Sequence, residues 1–258
     1  MATKIISDIH GEYGALADRL EPDDTAVLLG DYLNLIDFRT LEGILSEVFS
    51  SEEVAHALAL LASGDRENAK RQIREVVGNS PEKQARMGEL IHGAYSDFFA
   101  SIPCRCYMLY GNTDNPALMR HYAGDNVTII ESGTEELDGQ VFGFISGTPH
   151  GPWTIGLPGE MEVEKFEAFV ASLGPVDVLC THYPPAVDDL TWDVEAGRDE
   201  TGSHALLGYV DTFKPSHHYF GHVHNPRATV LRRGETCLVN VGYFRRGKSV
   251  VVHPVDCK

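Results

Sequence analysis

Five short polar clusters, each placed directly after an apolar and strand-like stretch, constrain this chain more than any other feature. Open α/β sheets bind ligands at the carboxyl ends of their strands, so a fold that aligns these stretches brings the clusters together. The sequence therefore predicts an α/β protein built around one polar site. The clusters are Asp8-Ile9-His10, Gly30-Asp31, Gly111-Asn112-Thr113-Asp114, Thr181-His182-Tyr183 and Gly221-His222-Val223-His224.

Two of these clusters have a spacing that suits a shared ion. Asp8 and His10 are two positions apart, as are His222 and His224, and in an extended stretch such pairs point to the same side. Each cluster alone is typical of a turn or of a surface histidine. Their joint occurrence, with Asp, His and Asn side chains, favours a two-metal hydrolytic centre.

The order of the predicted elements favours an α/β fold with more than one sheet. Strands alternate with helices along most of the chain, and the last forty residues read as a run of strands. Residues 1–258 are expected to form one domain with a helical insertion over residues 37–100, where apolar side chains repeat at helical spacing. The insertion is expected to cap the site, to pair two subunits, or only to pack against the core.

Two helix starts are predicted within the insertion. Ser80-Pro81-Glu82 combines an N-cap residue, a first-turn proline and an acidic side chain, and an amphipathic repeat follows as far as Phe99. Asp65 marks the start of a further helix, which ends at Gly78.

Composition limits the classes of protein to consider. A chain of 258 residues with 43% hydrophobic side chains can bury a sizeable core. Its longest hydrophobic run, Ala57 to Ala62, has six residues, whereas a membrane helix needs about twenty. Ser7-Asp8 interrupts the first apolar stretch before a signal peptide can form, so a cytoplasmic protein without a membrane partner is expected.

The chain has five cysteines, which is an odd number, and no export signal is recognised in it. No disulfide framework is therefore expected.

The charge of the chain excludes one class of partner. A formal net charge of −17 repels long polyanions, so duplex DNA and long RNA are not expected to bind. The charge is uneven, because residues 227–258 hold seven basic and two acidic side chains. This C-terminal segment could receive a small anion.

In order and spacing, the five clusters resemble the signature of the calcineurin-like metallophosphoesterases, which runs DxH, GD, GN(H), H and GHxH. The resemblance covers almost the whole chain apart from the insertion. It implies a four-layer α/β/β/α sandwich of two mixed sheets flanked by helices. It also implies two divalent ions, and mixed nitrogen and oxygen ligands accept manganese, iron, zinc or nickel. By this resemblance the first ion is held by Asp8, His10, Asp31 and His224, and the second by Asp31, Asn112, His182 and His222, with Asp31 as the bridge.

The resemblance implies a phosphoesterase. Two cations about 3.5–4 Å apart acidify a shared water, and the resulting hydroxide attacks phosphorus in line. The charges of two divalent ions, Asp8, Asp31, hydroxide and a phosphodiester monoanion sum to zero, whereas a monoester dianion leaves an excess negative charge. Hydrolysis of a small phosphodiester is therefore expected. The alternatives are a phosphomonoesterase, pyrophosphatase or protein phosphatase with the same centre, or a weakly catalytic binding scaffold.

Thr113 departs from the family pattern. Many members carry there a histidine that is thought to protonate the leaving oxygen, and a hydroxyl group cannot replace imidazole as an acid near pH 7. The chain is similar to members with Cys or Thr at this position, which are mostly described as phosphodiesterases. Substrates with stable leaving groups are therefore expected. The catalytic residues that the resemblance implies are Asp31, Asn112, His222 and Asp114, with Asp114 as an orienting group.

Several side chains are candidates for contact with a substrate. His150 and His204 lie in predicted loops and could replace the missing acid or be bystanders. Trp153 and Tyr183 could form an apolar wall, with core filling as the alternative for Trp153. Arg227 could reach a phosphoryl oxygen or make a surface ion pair. The predicted substrate-binding residues are Thr113, His150, Trp153, Tyr183 and Arg227.

Overall fold

The computed structural model describes residues 3–37, 40–62, 68, 71, 80–152, 154 and 156–257. One sheet contains β1 (Thr3–Ile6), β2 (Thr25–Leu28), β3 (Arg105–Met108), β4 (Val127–Ile129) and β15 (Val251–Val252). The strand order is β15-β1-β2-β3-β4. Strands β1 to β4 are parallel, and β15 is antiparallel to β1.

A second sheet is mixed and has six strands. These are β5 (Ser132–Leu137), β6 (Gln140–Ile145), β9 (Val178–Thr181), β12 (His217–Phe220), β13 (Val230–Arg233) and β14 (Thr236–Asn240). In the order β13-β14-β12-β9-β6-β5, the four central strands are parallel and the two outer strands are antiparallel to them. Two short ribbons pair β7 (Thr148–Pro149) with β8 (Glu160–Met161), and β10 (Trp192–Asp193) with β11 (Arg198–Asp199).

Helices cover the outer faces of the sheets or connect their strands. They are α1 (Tyr13–Ala17), α2 (Ile44–Val48), α3 (Ser51–Ala62), α4 (Pro81–Ala100), α5 (Pro116–Tyr122), α6 (Val163–Ser172), α7 (Asp188–Thr191), α8 (His204–Phe213) and α9 (Phe244–Gly247). Within the described ranges, no helix combines the length and the apolar character that crossing a membrane requires.

Alternate residues of the strands face different layers, as the pleat of a strand requires. Ile5 of β1 packs in one core with Phe144 of β6, between the two sheets. The next residue, Ile6, faces the opposite side and belongs to a core that includes Phe98 of α4. Val210 of α8 belongs to a third cluster, against the second sheet. The predicted α/β fold with two mixed sheets and flanking helices is confirmed.

Helix α4 begins where the sequence predicts and supports the site. Ser80 is its N-cap, and Ser80 Oγ accepts a hydrogen bond from a backbone amide of the first turn at 3.3 Å, while Pro81 opens the helix. Its buried Phe98 stacks on Tyr32, with ring centroids 4.4 Å apart. Because Tyr32 directly follows Asp31, the end of the insertion packs beneath the loop that carries a predicted ligand.

Some features of the fold depart from the sequence-based expectations. Strand β5 is not among the predicted strands, although the Asp138-Gly139 turn that joins it to β6 has positive φ at both residues and is a favoured hairpin turn. The helix predicted from Asp65 to Gly78 lies, apart from residues 68 and 71, outside the described residues.

One disulfide is present, although the cysteine count predicts no disulfide framework. Cys237 and Cys257 form a disulfide, because β14 and the C-terminal segment lie side by side with the two Cα atoms 5.6 Å apart. An odd number of cysteines argues against complete pairing, but it says nothing about one pair brought together by the fold. Cys104, Cys106 and Cys180 are free and buried.

Candidate metal centre

The predicted clusters meet because the strands that precede them are parallel. Asp8, Asp31 and Asn112 follow the carboxyl ends of β1, β2 and β3 in the first sheet. His182 follows β9, and His222 follows β12, in the second sheet. The site therefore lies where the same edge of both sheets presents its loops, as open α/β sheets favour.

One group of ligand atoms contains Asp8, His10 and His224, and these atoms lie within 4.8 Å of one another. Nε2 of His224 is 3.5 Å from Oδ1 of Asp8, and Nε2 of His10 is 3.9 Å from the same oxygen. Two imidazole nitrogens and a carboxylate at these separations form part of the mixed ligand shell that a divalent transition metal takes.

A second group contains Asp8, Asp31 and His182, again within 4.8 Å. Asp31 lies between the groups, because its Oδ2 is 3.7 Å from Nε2 of His10 and its Oδ1 is 3.7 Å from Nε2 of His182. This is the position that a bridging carboxylate requires. Asp8 also contributes to both groups, whereas the resemblance assigns it to one ion.

Asn112 and His222 complete the second side of the site. Oδ1 of Asn112 is 3.3 Å from Nε2 of His182 and 3.1 Å from Nδ1 of His222. The rings of His182 and His222 are 5.2 Å apart. Burial and the neighbouring His182 lower the pKa of His222 to about 3, so its imidazole is neutral and able to bind a cation near pH 7. All seven predicted ligands thus surround one region.

Backbone carbonyls orient the histidines toward that region. Nδ1 of His10 is 3.0 Å from the carbonyl oxygen of Leu33, and Nδ1 of His182 is 3.1 Å from that of Leu29. A carbonyl only accepts, so each Nδ1 carries the proton and each Nε2 keeps a lone pair that faces the site.

Buried atoms without partners indicate that the site suits a cation. Oδ1 of Asp8 and Nε2 of His10 are both buried and have no hydrogen-bond partner within the described part of the chain. An unsatisfied buried acceptor costs about 1–3 kcal/mol, and more if it is charged. Because both atoms face the same point, a shared cation would satisfy them, so the donor set fits a metal site.

The backbone at the ligands is strained. Asp8, His10, Asp31 and His222 have positive φ angles of 57°, 41°, 57° and 69°. Such left-handed conformations cost non-glycine residues on the order of 1–3 kcal/mol each and concentrate at functional sites. The strain aims four ligand side chains at one place, which relaxed strand geometry would not do.

Two glycines leave room for the ligands. A Cβ atom on Gly111 would lie closer than 3.0 Å to the carboxylate of Asp31 and the ring of His182. A Cβ atom on Gly221 would come equally close to the carboxylate of Asp8. The glycines of the GN and GH motifs are therefore needed for close approach of backbone and ligand.

Asp114 holds the backbone beneath the site. Its fully buried carboxylate accepts hydrogen bonds from the amides of Asp31 at 2.8 Å, Tyr32 at 2.9 Å and Gly111 at 2.8 Å. Burial and the neighbouring Asp31 raise its pKa to about 8, and the three amide donors oppose that rise. The side chain faces backbone amides instead of ligand atoms, so its place is that of an orienting group.

Thr113 is committed to Asp31. Its amide and its Oγ1 both donate to Oδ1 of Asp31, each at 2.9 Å. The hydroxyl group therefore fixes the carboxylate between the two ligand groups. That Thr113 also contacts substrate stays a prediction.

Tyr183 differs from its prediction as a wall of the substrate pocket. It is 4% exposed, and its ring lies 5.1 Å from that of His222. Its hydroxyl contacts the carbonyl of Glu200 at 3.0 Å and Oγ1 of Thr201 at 2.8 Å. The Tyr183 side chain thus packs against His222, one of the predicted metal ligands.

Two other predicted substrate contacts have partners of their own. Nδ1 of His150 is 3.3 Å from Oε1 of Glu162, at the surface. Arg227 lies over the ring of Trp192, with Cζ 4.5 Å from the ring centroid. Trp153 lies outside the described residues, and His204 begins α8.

Sequence reasoning missed two residues that support the first ligand group. Tyr243 stacks on His224, with ring centroids 3.9 Å apart and an interplanar angle of 3°. Arg245 donates from Nη1 to the carbonyl of His10 at 2.7 Å and from its amide to the carbonyl of Asp8 at 3.0 Å. No local sequence signal marks these two residues, because their position depends on β14 lying beside β12 in the folded chain.

No protein-family profile matches the chain. Among curated proteins, the chain is similar to UPF0046 protein K07C11.7 of Caenorhabditis elegans, with 29% identity over 132 residues. The match covers 50% of this chain and 42% of the relative, so the chain spans less than half of the relative's length.

Solved structures resemble the chain over nearly its whole length. TT1561 of Thermus thermophilus matches with a TM-score of 0.49 and 11% identity, over 97% of both chains. Another crystal structure matches with a TM-score of 0.59 and 16% identity, over 98% of this chain and 99% of its own. At 16% identity this second likeness is one of fold alone.

Proposed function

We propose that this chain is a metal-dependent phosphoesterase that hydrolyses a small phosphodiester. The observation that carries the proposal is the convergence of seven ligand-type side chains at one edge of two sheets, with Asp31 between two groups that each contain histidine. The order of these residues along the chain, which resembles the metallophosphoesterase signature, supports the same reaction.

The side chains present fit two cations. Asp8, His10 and His224 would hold one, His182, His222 and Asn112 would hold the other, and Asp31 would contact both. The chemistry that bound cations supply is a lowered pKa of coordinated water and neutralisation of charge on the phosphoryl oxygens.

The chain itself fixes the geometry for this reaction. Thr113 holds Oδ1 of Asp31, Asp114 holds the amide of Asp31, and backbone carbonyls hold the tautomers of His10 and His182. Such pre-organisation removes the need to order ligands when substrate binds. The supporting hydrogen bonds are therefore part of the catalytic apparatus.

The charge and the missing acid favour diesters. Asp8 and Asp31 are the carboxylates of the ligand set, so two divalent ions, hydroxide and a diester monoanion leave no net charge. Thr113, which replaces the imidazole of other family members, cannot protonate a leaving group near neutral pH. Diesters with stable leaving groups should therefore react faster than monoesters.

A substrate profile tests the proposal. Metal-free protein is loaded with manganese, iron, nickel or zinc, and kcat/KM is measured for cyclic nucleotides, aryl diesters, aryl monoesters and a phosphopeptide. The diesters are expected to be the best substrates. A preference of more than tenfold for monoesters would overturn the diester assignment, and no turnover with any metal would favour a binding scaffold instead.

A further inference from the structure

The segment that follows His224 is hydrogen-bonded to the hairpin formed by β10 and β11. Oδ2 of Asp193 in β10 accepts a hydrogen bond from the amide of Asn225 at 3.3 Å, and Asp193 also forms an isolated bridge with Pro226. The amide of Val194 donates to the carbonyl of Asn225 at 2.8 Å. The β10–β11 hairpin therefore fixes the backbone immediately after the last predicted ligand.

Arg227 follows this fixed segment and is held by an aromatic ring. Its Cζ lies 4.5 Å from the centroid of Trp192, which starts the same hairpin. Three residues span at most roughly 11 Å of backbone, so the Cα atom of Arg227 lies within that distance of the Cα atom of His224. Stacking on an indole ring restricts the guanidinium and leaves its N–H groups free to donate from the edge.

Four other cations of the C-terminal segment are paired with carboxylates. Each of four basic side chains has a carboxylate oxygen within 4.0 Å. The pairs are Arg233 with Asp211, Arg245 with Asp37 and Glu42, Arg246 with Glu195, and Lys248 with Glu12. These ion pairs therefore involve most of the basic side chains that follow residue 227.

Arg227 differs from these residues. It is exposed, and in the parts of the chain that the structure describes no carboxylate oxygen lies within 4.0 Å of its guanidinium nitrogens. In a protein of net charge −17, Arg227 is thus a cation without such a partner on the segment that directly follows a predicted metal ligand. It is suited to an anionic group supplied from solution.

We propose that Arg227, stacked on Trp192, binds a second anionic group of the substrate. This group lies on the ester arm that is not the leaving group. This inference rests on the proposed phosphodiesterase function and names its substrate class, a diester that also bears a carboxylate or a further phosphate. A guanidinium donates two parallel hydrogen bonds to either anion, so the recognition chemistry is shared.

Three diesters and two variants test this subsite. Methyl 4-nitrophenyl phosphate is compared with analogues whose methyl group is replaced by carboxymethyl or by 2-phosphonoethyl. In Arg227→Met, which keeps an apolar stem on Trp192, the preference for each charged analogue over the methyl diester should fall about tenfold or more. Arg233→Met, a cation of the same segment already paired with Asp211, should retain the wild-type preference.

The relative size of the two losses identifies the anion. A larger loss for the carboxymethyl diester indicates a carboxylate substrate, and a larger loss for the phosphonoethyl diester indicates a phosphate. An unchanged preference in Arg227→Met, or the same loss in Arg233→Met, would overturn the proposal.

A binding measurement separates this inference from the proposed function. The metal-loaded wild-type protein and Arg227→Met are titrated calorimetrically with carboxymethyl methylphosphonate and with the uncharged-arm methyl methylphosphonate, neither of which can be cleaved at an aryl ester. A rise of about tenfold in Kd for the carboxymethyl ligand alone supports the subsite even if no diester is hydrolysed. Equal Kd values in the two proteins would reject it even if the enzyme is active.

Discussion

At the residue scale, the place of Asp31 between the two ligand groups depends on Thr113, at a position where the signature that this sequence resembles usually has histidine. Thr113 donates twice to one carboxylate oxygen of Asp31, through its amide and its hydroxyl group. The Thr113 hydroxyl group thus positions the carboxylate of Asp31, but it cannot act as a general acid near pH 7.

Replacing the hydroxyl group of Thr113 should loosen the carboxylate. Thr113→Val removes a hydrogen bond to a charged acceptor, worth about 1.5–3 kcal/mol, and it should weaken metal binding by roughly tenfold or more. Thr113→Ser keeps the donor and serves as the matched control. Metal affinity, measured by competition with a chelating dye, should be close to wild type in the serine variant. Equal affinities in all three proteins would show that the contact has no positioning role.

Asp114 should matter for stability as well as for the site. Asp114→Asn places a donor amide against three backbone N–H groups, so at least one buried donor loses its acceptor. A loss of about 2–4 kcal/mol in the free energy of unfolding is expected in urea titrations of metal-free protein. Asp211→Asn, which changes an exposed acid paired with Arg233, provides the comparison and should leave the free energy of unfolding close to that of the wild type. A small effect of Asp114→Asn would contradict the role assigned to its amide contacts.

At the scale of elements, α9 links the first ligand group to the start of the insertion. Arg245 contacts the carbonyl of His10, and its guanidinium also lies 3.7 Å from Asp37 and 3.3 Å from Glu42. The same side chain thus holds a ligand loop and the segment that leads into the helices between β2 and β3. Helix α4 reinforces this arrangement through the stack of Phe98 on Tyr32.

Arg245→Met should therefore impair the site more than the fold. The change removes the contact with His10 and both acidic partners, so metal affinity and turnover should each fall by about tenfold or more. The neighbouring Arg246 pairs with Glu195 at the surface, and Arg246→Met is the matched control. Melting temperature, metal affinity and kcat are measured for both variants. If metal affinity and kcat are the same in the two variants, the contacts of Arg245 do not contribute to the function of the site.

At the scale of the whole molecule, two sheets from distant parts of the chain meet at one charged edge. Asp8 and His224 are separated by most of the sequence, yet their ligand atoms lie 3.5 Å apart. Bound cations would therefore join the sheets and favour the folded chain. Repulsion among buried acids and unpaired acceptors is relieved at the same time.

Metal binding should stabilise the entire fold. At a free metal concentration about 100 times the dissociation constant, linkage predicts an increase of about 2.7 kcal/mol in the free energy of unfolding for one site. Urea unfolding is followed after dialysis against a chelator and again after manganese or zinc is restored. Identical unfolding curves with and without metal would show that the folded chain has no preference for the ion.

Much of this architecture can be read from the sequence, because the ligand clusters follow their strands directly. The grouping of the clusters within each sheet follows from its parallel strands, and the start of α4 follows from Ser80 and Pro81. The meeting of Asp8 with His224 also depends on how the two sheets pack together. The support from Tyr243 and Arg245 could not be predicted, since it depends on how β14 aligns with β12 across tertiary space. The commitment of Thr113 to Asp31 depends on loop geometry, which residue spacing does not encode.

The most direct test of the account is the metal content of Asp31→Asn. Purified wild-type protein, loaded and then desalted, should retain two divalent ions per chain by elemental analysis and should hydrolyse an aryl diester. Asp31→Asn should lose one or both ions together with turnover, because a neutral amide cannot bridge two cations as a carboxylate does. Full metal content with full turnover in Asp31→Asn would contradict a centre built around this residue.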